Sequence, residues 1–90
     1  MSPAAFTLLS MAFEHYERTS DKAFSYQFKN ADDMIRSITG AGQLYEDGYI
    51  DNVSDNVISS HVSIVPVIPI TFDITDAGIE YMRSHREAKS

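Results

Sequence analysis

Two stretches decide how this chain is read: Leu44-Tyr45-Glu46-Asp47-Gly48-Tyr49-Ile50 and Phe72-Asp73-Ile74-Thr75-Asp76-Ala77-Gly78-Ile79-Glu80-Tyr81-Met82. The first predicts a helix that ends near Gly48, a residue that enters the left-handed conformation cheaply, followed by a strand beginning at Tyr49-Ile50. The second predicts a strand turning into a helix. There Thr75 is placed to cap the helix, Gly78 to let it approach a sheet, and Tyr81 and Met82 to close a core. Between Arg36 and Arg83 the chain has neither lysine nor arginine. That interval carries Glu46, Asp47, Asp51, Asp55, Asp73, Asp76 and Glu80 instead.

Upstream of these corners, Ser2-Pro3 predicts a helix start, because serine caps and proline at the first helical position gives up no useful N–H. Phe6, Leu9, Phe13 and Tyr16 recur at helical spacing, with Ala5, Leu8 and Ala12 widening the stripe and Glu14, Glu17 and Arg18 outside it. Thr19-Ser20-Asp21 has turn chemistry. Phe24, Tyr26 and Phe28 alternate with Ser25 and Gln27, the period of a strand or extended arm, with a short helix as the competing reading. Asn30 is placed to cap a middle helix with Asp32 and Asp33 in its first turn. Ala31, Met34, Ile35, Ile38, Ala41 and Tyr45 are expected to share one face. Gly40 and Gly42 leave two readings: one helix that tolerates both, or two short helices meeting there.

From Val57 to Phe72 the chain has no charged side chain other than a protonated His61, and β-branched residues dominate. A hairpin with arms near 57–65 and 70–75 is expected, with Pro66 and Pro69 at an edge, a bulge or the tip, since proline cannot donate to a ladder. Ninety residues make one domain, 1–90. The 43% apolar content suits a globular protein. A net charge of −6, from 13 acidic and 7 basic side chains, repels nucleic acid and anionic lipid at long range. The absence of cysteine excludes disulfide and thiolate chemistry. Met1–Phe13 lacks a basic leader region and a spanning apolar run, so a cytoplasmic protein with no membrane partner is expected.

The order helix, middle helix or helices, Leu-x-x-x-Gly-Tyr-Ile, hairpin, Ile-Thr-x-x-Gly-x-x-Tyr-Met resembles a winged helix-turn-helix. Within that superfamily it is most similar to the YjcQ-like proteins of Gram-positive bacteria and their phages. The stretches that carry the resemblance are Leu44–Ile50 and Ile74–Met82, with weaker similarity in the first helix. It implies an α+β fold with three to four helices and a small antiparallel β-hairpin wing. The segment from Ile50 to Ile74 departs from the pattern in being longer and more apolar than a plain wing.

Winged helices commonly grip DNA with cations, and the candidates here are Arg18, Lys22, Lys29 and Arg36, all before the cation-free interval. Ser37, Thr39 and Gln43 are the candidate base readers. Useful affinity takes roughly six or more phosphate contacts, which one copy does not supply. The apolar residues Val62, Ile64, Val65, Val67 and Ile68 exceed what one face of a small wing buries, and they mark a candidate protein or self-association interface. Tyr45, Glu46, Asp47 and Tyr49, with Asp51, form an acidic-aromatic corner suited to a basic partner.

Enzyme and cofactor signals do not accumulate. Asp73 and Asp76 flank a helix start, where carboxylates stabilise the N-terminus. His15, His61 and His85 lack ligand spacing, so no metal is expected. Gly40-Ala41-Gly42 lacks the lysine of a phosphate loop. Ser60 and His61, adjacent on a strand, point to opposite faces and cannot act together. The expected function is a small non-enzymatic regulatory or interaction protein working through protein contacts, with possible homodimerisation. A dimeric DNA-binding transcriptional regulator is the alternative. A second alternative is an acidic mimic of DNA that inhibits a nucleic-acid enzyme.

Overall fold

Ser2 starts the first helix as its sequence suggests: its hydroxyl accepts from the Ala5 N–H at 3.2 Å, and Pro3 occupies the first turn. In the computed structural model, which describes residues 1–54 and 69–88, this helix is α1 (Pro3–Thr19). It ends at Ser20, whose φ of 61° is left-handed and whose N–H donates to the Tyr16 carbonyl at 2.7 Å. Strand β1 (Ala23–Tyr26) follows, so the alternating aromatic segment is extended and not helical.

Helix α2 (Ala31–Glu46) begins at Asn30, whose side chain accepts from the Asp33 N–H at 2.8 Å. It is one continuous helix through Gly40 and Gly42. Its C-terminus closes with paired bonds, Gly48 N–H to Tyr45 O at 3.1 Å and Tyr49 N–H to Leu44 O at 2.9 Å. Gly48 takes the positive φ of 80° that this closure requires. Strand β2 (Ile50–Asp51), strand β3 (Ile70–Ile74) and helix α3 (Asp76–Ala88) complete the described elements.

The three strands form an antiparallel sheet in the order β1-β3-β2. Phe24 pairs with Phe72, Tyr26 with Ile70 and Ile50 with Ile74. Ile70, Phe72 and Ile74 therefore point to one face, and they join Leu9, Phe13, Leu44 and Ile50 as the most deeply buried large side chains. Residues 70–74 form a strand where the second hairpin arm is expected, but this strand lies at the centre of the sheet, paired with β1 and β2. The first arm, 57–65, and Val62, Ile64, Val65, Val67 and Ile68 lie outside the described residues.

The Thr75 corner ties the start of α3 to the Gly48-Tyr49 turn that follows α2. Its hydroxyl donates to the Gly48 carbonyl at 2.7 Å and accepts from the Gly78 N–H at 3.1 Å, while its own N–H donates to Tyr49 O at 3.0 Å. A Cβ at Gly78 would run into the Tyr49 carbonyl oxygen and stand 3.0 Å from Ile74 Cγ1. Glycine here is a requirement of close packing between α3 and the β2 strand entrance.

The apolar face given by spacing on α2 is only partly the buried one. Met34 and Ala41 are buried and Ile38 is half-buried, but Ala31, Ile35 and Tyr45 are exposed. The buried seam is instead Met34, Ser37, Gly40, Ala41 and Leu44. The reason lies in the distance between helices. A Cβ at Gly40 would sit 2.9 Å from the Ala5 nitrogen and 3.1 Å from both Ala4 C and Ala5 Cα. The α1 and α2 backbones meet where only small residues fit, and this rotates the larger side chains at 35 and 45 outward.

Candidate functional site

Helix α2 carries most of the predicted site residues, and its caps fix their positions. At its N-terminus Asp33 Oδ2 accepts from the Lys29 N–H at 3.0 Å and from the Tyr26 hydroxyl at 2.7 Å. The Lys29 N–H, then the Tyr26 hydroxyl, hold the Asp33 carboxyl below its ordinary pKa. The same bond to Asp33 raises the Tyr26 phenol above its usual value, with partial burial adding to it. Ser37 is 5% exposed and belongs to the buried seam of α2, at the edge of the groove between α1 and α2.

Between α1 and α2 runs an open groove of about 710 Å3. Lys29, Arg36, Thr39 and Gln43 line it, over an apolar floor that includes Pro3, Leu8, Met11 and Ile35. Gln43 Oε1 also accepts from the Ser2 N–H at 3.4 Å, a polar tie across the groove. Helical spacing thus brings together the part of the predicted DNA-binding set that lies on α2 or just before it.

Arg18 and Lys22 are not in this groove. Arg18 ends α1. Lys22 Nζ lies 3.0 Å from Asp76 Oδ1, a contact across 54 residues that holds the ammonium above its ordinary pKa. No pattern local to Lys22 signals this pairing. The groove also contains the Asp33 carboxylate, so its described charge is two cations against one anion.

The opposite end of α2 is acidic. Glu46 and Asp47 are exposed, and Tyr45 is 45% exposed beside them. Tyr49 turns away from this group and packs on Tyr81 with ring centroids 4.9 Å apart. Tyr81 stacks in turn on His85, and His85 meets Phe6 edge-on at 4.9 Å, an aromatic ladder joining α1 and α3 that the sequence reading missed. Phe6 and His85 stand 79 positions apart, and helical spacing within either segment gives no sign of their contact. Asp51 is exposed and accepts from the Asn52 N–H, while the Asn52 side chain donates to Asp73 at 2.7 Å. Asp73 and Asp76 thus have separate partners, Asn52 and Lys22.

Among the described residues no group of three or more histidine, aspartate or glutamate side chains is placed to hold a metal ion. No described helix is long and apolar enough to cross a membrane. Comparison with known protein families, curated proteins and solved structures finds no match to this chain.

Proposed function

We propose that this protein is a small, non-enzymatic winged-helix module, bacterial or phage in character, that acts through protein contacts at the acidic end of α2. The order of elements and the β1-β3-β2 sheet are compatible with a winged-helix layout. The observation that carries the functional reading is the dispersal of positive charge. Lys22 is paired with Asp76, Arg18 stands apart from the groove, and Lys29 and Arg36 share that groove with Asp33. Two cations fall well short of the roughly six phosphate contacts of a useful DNA grip. At the far end of the helix, Tyr45, Glu46 and Asp47 offer an exposed apolar ring beside two carboxylates.

The dimeric DNA-binding reading draws its support from Lys29, Arg36, Thr39 and Gln43 lining one groove. Fluorescence anisotropy of a labelled mixed-sequence duplex at low salt separates the two. The protein-contact reading expects no rise up to high protein concentration. A salt-sensitive rise that R36A removes would establish the DNA reading in its place. An acidic mimic of DNA would show a third behaviour: tight binding to a basic protein that added duplex displaces.

A further inference from the structure

Helix α2 shows solvent two sides of different chemistry. The side toward α1 holds Lys29 and Arg36 in the groove. Next to it, Ala31, Ile35, Ile38, Gly42 and Tyr45 follow one another at intervals of three and four residues, so they form one stripe along the helix. Ile35, at its border with the groove, is 50% exposed and Tyr45 is 45% exposed. Within the stripe, a Cβ added to Gly42 would meet no atom of the described residues within 4 Å. The helix backbone is therefore open to close approach at that point.

Of the described helix charges, those nearest the stripe are acidic, Asp32 and Glu46 on the helix and Asp47 at its C-cap, each exposed, while Arg36 lies beyond them on the groove side. Glu46 and Asp47 stand at the negative end of the helix dipole, and the last turn contains no basic residue. Acids there disfavour the helix, a cost that a cation brought by a partner offsets.

We propose that this stripe docks an amphipathic helix of another protein, one that carries lysine or arginine beside its apolar ridge. A large ridge residue sits down over Gly42, between Ile38 and Tyr45, and the basic residues meet Asp32, Glu46 and Asp47. A second copy of this chain is the poorer occupant. Each copy carries a net charge of −6, and antiparallel pairing of two stripes brings the Asp32 end of one against the Glu46 end of the other. This inference rests on the protein-contact reading and adds the chemistry of the partner.

The test is an amide NMR titration of the full chain with two synthetic helical peptides that share one leucine ridge, one flanked by lysine and the other by glutamate. The lysine peptide is expected to shift Ile35, Ile38, Gly42 and Tyr45 and to weaken as salt rises, while the glutamate peptide leaves them unmoved. G42L, at a position with room for a side chain, and the charge reversal E46K are each expected to weaken binding by about tenfold or more, with the fold checked by the unshifted remainder of the spectrum. Equal binding of both peptides, binding of neither, or shifts confined to the Lys29–Arg36 groove would overturn the proposal. So would shifts at the stripe that depend on protein concentration without peptide, since they would identify a second copy as its occupant. Shifts confined to Tyr45, Glu46, Asp47 and Tyr49 would sink the docking stripe and leave the protein-contact reading standing. Salt-sensitive DNA binding would sink that reading itself.

Discussion

Gly40 and Gly42 are two residues apart on one helix, yet they serve opposite surroundings. A side chain at Gly40 comes closer to the α1 backbone than real Cβ atoms do, whereas at Gly42 it meets none of the described residues. The first glycine is there because two helices cross; the second leaves a bare patch on a face lined by exposed Ile35 and Tyr45. The same residue type, in one run of sequence, marks a filled seam on one side and an unfilled one on the other.

The comparison breaks most violently at Gly40. Leucine there has no direction in which to relax, because the neighbours are the backbone atoms of Ala4 and Ala5. G40L is expected to lower Tm by roughly 20 °C or more, as followed by circular dichroism, through an overpacking cost of about 3 kcal/mol or more. Gly78 is the independent check on the same rule. G78A sets a methyl against the Tyr49 carbonyl and is expected to cost about 2–3 kcal/mol, lowering Tm by roughly 10–20 °C.

A smaller effect sharpens the groove side of α2. D33N weakens the acceptor shared by Tyr26 and the Lys29 N–H and is expected to destabilise by about 1 kcal/mol at neutral pH. The Asp33 pKa is lowered on folding, so its contribution is complete above the unfolded carboxylate value and is lost as pH falls through the lower folded value. The Tm gap between wild type and D33N should accordingly close as pH drops below about 4. A gap that widened toward acid would show the sign to be wrong. The smallest effect belongs to K22A. The Lys22–Asp76 pair is solvent-exposed, and its removal should leave Tm unchanged within error and no more sensitive to salt than before.

What the sequence made legible was local. The caps at Ser2, Asn30 and Thr75, the closure at Gly48, the extended segment at Phe24 and Tyr26 and the close approach at Gly78 each depend on residues within a few positions. The orientation of α2 did not. Large apolar residues ordinarily mark the buried face, which pointed to Ile35 and Tyr45. The seam is set instead by how near α1 lies, a property of two helices that neither displays alone. The candidate site divides along the same line. Lys29, Arg36, Thr39 and Gln43 gather because helical spacing gathers them. The pairing of Lys22 with Asp76 and the burial of Ser37 arise from tertiary packing that no local pattern encodes.

Helix α2 has one face packed against α1 and another left open, and the melting temperatures of G40A and G42A compare the two directly. Alanine favours a helix over glycine by about 1 kcal/mol at either position. At Gly42 nothing opposes that gain, so Tm should rise by roughly 4–8 °C. At Gly40 the clash with Ala5 should outweigh it and Tm should fall. A G42A protein that melts lower than wild type, as G40A does, would mean that the supposedly open face is already covered, and would contradict the account.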